Sequence, residues 1–290
     1  MRGEETALVI GSDGSIGRAL TEELRGAGKA VAETTRRRAL PFSADRTFLD
    51  LNDDMSCWEP PGDVAVAYLC AGVSSLERCR VVPRESARVN VDHTVALAER
   101  LVARGTFVVF PSTNLVFDGT RPHRRAEDPV CPRTEYGRQK ADAERRLLAL
   151  GESVAVVRLS KVLGPAVPLL SSWVLALRNN RVVHPFSDVV FSPVPLTFTV
   201  QLLRRIGELR LPGVVQISGT EDITYEQVAR RAAERIGVCH RLVRPVTSNE
   251  AGVCLEAVPS HTTLDTTRLR AELFVEPPDV WSTVDSVLGP

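Results

Sequence analysis

The chain has 290 residues, long enough to bury a large core without a disulfide or a structural metal. Its 36 basic and 36 acidic residues cancel, which removes the global charge that a nucleic-acid or anionic-membrane partner would call for. With 43% hydrophobic and 25% charged residues the composition excludes a disordered or collagenous chain, and no apolar run approaches the ~18 residues of a membrane span.

The start of the chain carries Glu4 and Glu5 and runs straight into a short apolar stretch. A secretory leader has a basic start and a longer apolar run, so a cytoplasmic protein is expected. Residues 7–10 read as a first strand. Residues 16–25 then carry Ile16, Ala19, Leu20 and Leu24 at helical spacing, with Gly26 and Gly28 as a stop. Residues 30–34 read as a second strand and 47–49 as a short third. The unbroken apolar run 64–70 suits a strand covered on both faces.

Residues 83–104 read as one long helix ended by Gly105, followed by a buried strand at 107–110, a helix at 134–150 and a strand at 153–158. Strands alternating with helices predict an α/β protein of Rossmann type: a doubly wound parallel sheet with helices on both faces. Pro165, Pro168, Pro185, Pro193 and Pro195 then crowd a stretch that reads as irregular turns. A strand at 214–217, a helix at 225–236 with Thr224 as N-cap and Gly237 as stop, and a last helix at 279–288 follow. The expected division is a dinucleotide-binding domain over 1–163 and a smaller α/β substrate lobe, mostly 164–290, with some of its segments free to return to the main sheet.

Gly11-Ser12-Asp13-Gly14-Ser15-Ile16-Gly17 is G-x-x-G-x-x-G placed directly after the first strand and directly before a helix. Glycine permits the tight turn and the close approach of a pyrophosphate. The helix N-terminus offers unpaired N–H groups and a positive dipole end. Gly11, Gly14, Ser15, Ile16 and Gly17 are therefore candidate cofactor contacts. An acid at the end of the second strand would bind the ribose 2′-OH of NAD, whereas arginine accommodates the 2′-phosphate of NADP. That place holds Thr35, followed by Arg36, Arg37 and Arg38, and alternation along the strand turns Glu33 elsewhere. NADPH is favoured over NADH, with Arg36 as the nearest candidate.

Tyr136-Gly137-Arg138-Gln139-Lys140 is Y-x-x-x-K on an expected helix, which puts both side chains on one face. With three tyrosines and three lysines in the chain, chance supplies this pair only about 0.03 times. The pair suits ketone reduction: a nicotinamide supplies hydride, tyrosine supplies the proton, and a neighbouring ammonium brings the phenol pKa towards neutrality. Ser112 and Thr113, at the end of a buried strand, are hydroxyls that can hold the carbonyl oxygen.

Together these features resemble the extended short-chain dehydrogenase/reductases, and within them the dTDP-4-dehydrorhamnose reductase branch. The run Ser112-Thr113-Asn114-Leu115-Val116-Phe117-Asp118-Gly119, then Glu127, Pro132 and Tyr136-Gly137-x-x-Lys140-x-x-x-Glu144, is similar to that branch's motif. Val89-Asn90-Val91, residues 188–193 and residues 263–266 resemble further elements of it. The resemblance implies that Thr113, Tyr136 and Lys140 are catalytic, that Tyr136 and Lys140 also contact the cofactor, Lys140 at the nicotinamide ribose, that Asp50 and Leu51 lie at the adenine, and that Ala71 and Gly72 lie beside the cofactor. Ser74, Thr113, Asn114 and Tyr136 are the implied substrate contacts. A homodimer through the helices near 84–104 and 134–150 is compatible with the same resemblance. Departures fall on the substrate side: Asn114 replaces the motif's acid, Lys161 stands near a usual tryptophan, and Val190 and Val194 replace glutamine and threonine.

The expected function is therefore NADPH-dependent reduction of a keto group on a nucleotide-activated 4-keto-6-deoxy sugar, with the sugar nucleotide between the lobes. Two rivals remain: a sugar-nucleotide epimerase or dehydratase that recycles its hydride, and a non-catalytic, dinucleotide-binding regulatory subunit. Cys57, Cys70, Cys79, Cys131, Cys239 and Cys254 show no C-x-x-C spacing, and the five histidines are scattered, so no metal site is expected. The cysteines read as reduced and buried, Trp173 as core, and Arg241 and Arg244 as surface residues.

Overall fold

A computed structural model describes residues 6–38, 45–55, 57–253 and 255–289. The expectations for Glu4, Glu5 and Cys254 lie outside the described residues. The elements in chain order are β1 (Thr6–Ile10), α1 (Ser15–Gly26), β2 (Val31–Thr35), β3 (Arg46–Phe48), β4 (Val64–Leu69), α2 (Leu76–Val81), α3 (Pro83–Ala87), α4 (Thr94–Val102), β5 (Phe107–Thr113), α5 (Glu135–Leu148), β6 (Val154–Leu159), β7 (Lys161–Leu163), α6 (Pro168–Arg178), β8 (Val190–Phe191), β9 (Pro193–Pro195), α7 (Leu196–Glu208), β10 (Gly213–Ile217), β11 (Ile223–Thr224), α8 (Tyr225–Ile236), α9 (Thr267–Leu273) and α10 (Val280–Leu288).

Seven strands form one parallel sheet in the order β10-β6-β5-β4-β1-β2-β3, the Rossmann-type architecture that alternation predicts. Residues Ala7, Leu8 and Val9 of β1 pair with β2 on one side, and β1 pairs with β4 on the other. Strand order reverses at β1, so the chains leaving β1 and β4 diverge and open a crevice at the carboxyl edge. The strands are buried on both faces: Leu8, Ile10, Ala67, Val108, Phe110 and Val156 lie in one core with Ala98, Leu101 and Leu147 of the helices, and the alternate positions Val9, Tyr68, Val109, Ala155 and Val157 are buried as well.

The chain divides into two compact units. The first comprises Met1–Val116, Thr134–Arg158 and Thr197–Val215; the second comprises Phe117–Arg133, Leu159–Leu196 and Gln216–Pro290. The second has its own core, built from Leu170, Trp173 and Leu177 of α6 against Val228, Ala229 and Ala232 of α8 and Val284 of α10. Trp173 meets the Tyr225 ring edge-on at 6.1 Å, the core role expected for it.

Three local expectations are corrected. The helix expected over 83–104 is interrupted by a π-helical segment, Arg88–His93, between α3 and α4. The proline-rich stretch hides two helices, because Pro168 occupies the first turn of α6 and Pro195 immediately precedes α7. Proline is tolerated where the N–H has no helical partner, so it marks a start there rather than a break. Of the five described cysteines only Cys79 is buried; Cys57 and Cys239 are exposed. Elsewhere local chemistry fixes the ends as expected: Thr224 and Gln227 form a reciprocal capping box on α8, and Gly237 ends that helix at φ 76°.

Candidate active site

β1 runs into Gly11, whose φ of 85° lies in the left-handed region. A Cβ on Gly11 would stand 2.7 Å from the backbone N and Cα of Ala71, so glycine is what lets this turn lie against the chain leaving β4. Gly14 has a different reason. An added Cβ would meet only the Gly11 carbonyl oxygen, at 3.5 Å, an ordinary contact. Gly14 lines the crevice, so the space kept clear by its missing side chain is the crevice itself. α1 begins beside it with no side-chain cap and no acid in its first turn, leaving N–H groups and the positive dipole end available.

The crevice has a volume of about 220 Å³. Of the expected cofactor residues, Gly11, Gly14, Arg36, Asp50, Leu51, Ala71 and Gly72 line it. Ser15, Ile16 and Gly17 form the adjoining first turn of α1. Asn90, in the π-helical segment, clamps one wall: its Oδ1 accepts from the Val73 N–H at 2.7 Å and its Nδ2 donates to the Val73 carbonyl at 2.9 Å. The same Nδ2 reaches Gln139 Oε1 of α5 at 2.9 Å, tying that wall to the helix that carries Tyr136 and Lys140. The expected substrate contact Ser74 is exposed just beyond the clamp, immediately before the N-cap of α2, Ser75.

The edge beyond β2 carries a residue that spacing alone did not single out. The expected turning of Glu33 is corrected: two residues before Thr35, it shares that residue's strand face and pairs with Arg25 at 3.4 Å and Arg46 at 3.9 Å, without lining the crevice. The carboxylate at this edge comes instead from Asp13 of the glycine turn, which accepts from Thr35 Oγ1 at 2.6 Å and from Arg46 Nη2 at 3.0 Å. Arg38 is drawn aside to Asp53 at 2.9 Å.

Thr113 ends β5, and its hydroxyl accepts from the Leu115 N–H at 3.2 Å and lies 3.4 Å from Asn114 Oδ1. α5 is capped by Thr134, whose Oγ1 accepts from the Gly137 N–H at 3.0 Å. A Cβ on Gly137 would fall 2.2 Å from the Leu115 carbonyl oxygen. The first turn of α5, with half-buried Tyr136, therefore lies directly against the backbone that follows Thr113. One helical turn on, Lys140 is buried, with Nζ donating to the Pro111 carbonyl at 2.6 Å and 3.7 Å from the centre of the Phe110 ring.

The electrostatics differ from the sequence expectation. Burial pushes the Tyr136 phenol up to about 12, with Cys79 adding in the same direction. Lys140 does not offset this, because its ammonium is directed at Pro111 and Phe110. Burial also pulls Lys140 down to about 7, opposed first by Glu144 and then by Cys70. Glu144, one turn further along α5, is held by Arg158 of β6 with Nη2 to Oε2 at 2.8 Å and Nε to Oε2 at 3.1 Å, and by the Ser112 hydroxyl. Both charged side chains are 3–4% exposed.

These values carry a stability prediction. The folded pKa of Lys140 lies below its unfolded value, so between about pH 7 and 10 the unfolded chain binds more protons and stability rises with pH. Below about pH 7 the folded state bears the full cost of the buried ammonium. Lys140→Met is expected to raise the melting temperature at about pH 6 and to lose most of that advantage by about pH 9. A variant no more stable than wild type at the lower pH would contradict the burial argument.

Two kinds of protein are among those that the chain is similar to. Methionine adenosyltransferase 2 subunit beta of Pongo abelii is 27% identical over 83% of this chain and 75% of the relative. dTDP-4-dehydrorhamnose reductase of Streptomyces griseus is 27% identical over 91% of this chain and 86% of the relative. The crystal structure of dTDP-4-dehydrorhamnose reductase from Bacillus anthracis, in complex with NADP, superposes with a TM-score of 0.81 over 98% of this chain and 97% of its own, at 18% identity. The family model for the RmlD substrate binding domain matches residues 5–289, through the glycine turn, the Thr113 strand end and the Tyr136 helix alike, and the chain belongs to that family.

Proposed function

We propose that the protein is a reductase that uses NADPH to reduce the keto group of a nucleotide-activated 4-keto-6-deoxy sugar. The observation that carries the reading is the docking of the first turn of α5 on Leu115. It gathers Thr113, Tyr136 and Lys140 at the carboxyl edge of the sheet that also holds the glycine turn. The family's reductases, one of them in complex with NADP, support it.

The crevice fits the cofactor on its own chemistry. Gly14 keeps a side chain's worth of space clear beside an uncapped helix N-terminus, as a pyrophosphate requires. Gly11, Gly14, Ser15, Ile16 and Gly17 would hold the pyrophosphate. Arg36 and Arg37 lie towards the 2′-phosphate, Asp50 and Leu51 towards the adenine, and Ala71 and Gly72 alongside. When bound, the nicotinamide supplies hydride to the carbonyl carbon.

The protein's own part is protonation and positioning. A phenol pushed up to about 12 is fully protonated at neutral pH, the form that a proton donor needs. Tyr136 gives this proton to the sugar oxygen while the Thr113 hydroxyl holds that oxygen as charge develops. Lys140, released from Pro111 towards the ribose, brings an ammonium to the phenol and eases the transfer. Asn114 and Ser74 meet the substrate, and the residues of 164–290 contribute mostly to its binding.

The test is NADPH consumption against a panel of nucleotide-linked 4-keto-6-deoxy sugars. Turnover with one member supports the reading; tight cofactor binding without turnover on any member would remove it. A second reading, a dinucleotide-binding regulatory subunit without turnover, is favoured by one observation: the relatives that are methionine adenosyltransferase subunits.

A further inference from the structure

The arginine-rich edge beyond β2 is less basic than its sequence suggests. Asp13 leaves the glycine turn and lines the crevice beside Arg36 and Arg37. Its Oδ2 accepts from Thr35 Oγ1 at 2.6 Å and lies 3.9 Å from Arg37 Nε; its Oδ1 accepts from Arg46 Nη2 at 3.0 Å. Arg18 adds a contact to its backbone carbonyl at 3.2 Å. The Thr35 hydroxyl, in turn, accepts from the Arg37 N–H at 3.1 Å, so Asp13 and the strand end form one connected unit. Arg38 is committed to Asp53 and stacks 4.1 Å over the Phe48 ring. Of Arg36, Arg37 and Arg38, which follow the second strand, Arg36 alone has no carboxylate partner among the described residues.

We infer that Asp13 determines which nicotinamide cofactor the crevice accepts. The inference rests on the dinucleotide reading of this crevice and sharpens it. A Rossmann site that binds NAD places an acid at the end of the second strand, where its carboxylate takes a hydrogen bond from the ribose 2′-OH. Thr35 stands at that place and cannot do this as an anion, but it holds the Asp13 carboxylate beside it. Asp13 thus returns the missing acid by another route. It offers an acceptor to a 2′-OH and opposes a 2′-phosphate, while taking up part of Arg37, a crevice cation that a phosphate would use. A phosphate is admitted chiefly on Arg36 and must share Arg37 with a carboxylate. The site therefore accepts NADH within about tenfold of NADPH instead of excluding it, because a fixed carboxylate stands beside Arg36 and Arg37 and offsets part of their charge.

The contacts also predict the direction of two substitutions. Asp13→Asn keeps the size of the side chain, removes the repulsion and frees Arg37, while Arg46 keeps Glu33 at 3.9 Å. Arg46→Gln removes a partner of Asp13 and leaves its charge less compensated. The experiment measures dissociation constants of NADPH and NADH for the wild-type protein and both variants, by quenching of protein fluorescence at low ionic strength. Thermal melts show that each variant is folded. Asp13→Asn is expected to shift the NADH-to-NADPH ratio of dissociation constants by about tenfold in favour of NADPH, and Arg46→Gln to shift it the other way.

A merely structural role for Asp13 would weaken both cofactors together and leave the ratio in place. An unmoved ratio in a folded Asp13→Asn protein overturns this inference while the dinucleotide reading stands. Failure of both cofactors to bind the wild-type protein overturns both.

Discussion

Tyr136→Phe is expected to lower kcat by about 10³-fold or more while leaving the NADPH dissociation constant within about threefold of wild type. The substitution removes one oxygen, the proton donor proposed for the sugar oxygen. It leaves the ring in place against the Leu115 backbone, and Gly137, Thr134 and the α5 cap are untouched. The cofactor crevice is lined by the segments that follow β1, β2, β3 and β4, with Arg78 of α2 and Val89, and not by α5, so its affinity is expected to hold. Steady-state kinetics with a turned-over sugar nucleotide, alongside cofactor titration, separates the two quantities. Equal activity in the variant would assign the proton to another group. A regulatory protein would lose no function on this change, so the variant also separates the two readings.

The second large effect falls on stability. Glu144→Gln is expected to cost about 3–5 kcal/mol, because it leaves the Arg158 guanidinium buried without its counter-charge. For a chain of this size that lowers the melting temperature by roughly 10 °C. The pair is nearly sealed from water, so screening by salt does not spare it. Replacing both partners with apolar residues, Glu144→Leu with Arg158→Met, is expected to recover most of the loss, since no unpaired charge remains. Thermal denaturation of the two proteins checks this. A single variant as stable as wild type would show that Arg158 finds another partner. The site adds a second consequence: Glu144 is the main group holding the Lys140 pKa up, so its loss lowers the fraction of ammonium at neutral pH.

Much of this arrangement is legible in the sequence because it rests on local rules. The glycine turn is read from three glycines between a strand and a helix, and the structure gives Gly11 and Gly14 separate reasons, a close approach to Ala71 and an open crevice. The spacing of Tyr136 and Lys140 follows from helical geometry. What the sequence conceals is contact at long separation. Asp13 meets Arg46 across 33 residues, and Asn90 meets Gln139 across 49. Arg158 meets Glu144 only because β6 lies beside β5 in the sheet. Such partners are set by packing, and no periodicity announces them. A signal for Asp13 was nonetheless available. It is the acid within the turn itself, one residue before Gly14, next in space to a strand end that lacks one. The helices α6 and α7 were hidden differently, by prolines that open a helix as readily as they end one.

The π-helical segment at Arg88–His93 shows the same division. Its apolar residues Val89 and Val91 read as one helix face, and both are buried. The extra residue in the turn accompanies Asn90, whose amide spans the Val73 backbone and Gln139 at once. Single π-turns inside α-helices are frequent at functional sites, and here one sits where the crevice wall joins the helix of Tyr136.

The central claim is that hydride passes from NADPH to a sugar carbon on this protein. The measurement that tests it most directly uses NADPH deuterated at the transferred position of the nicotinamide, with mass analysis of the sugar nucleotide after incubation. The account predicts one deuterium in the product for each NADPH oxidised, and none with Tyr136→Phe. A rearranged sugar without deuterium, its cofactor unconsumed, would make the protein an epimerase or dehydratase. An unaltered sugar across the whole panel, with cofactor bound, would contradict the reductase reading and leave the non-catalytic subunit.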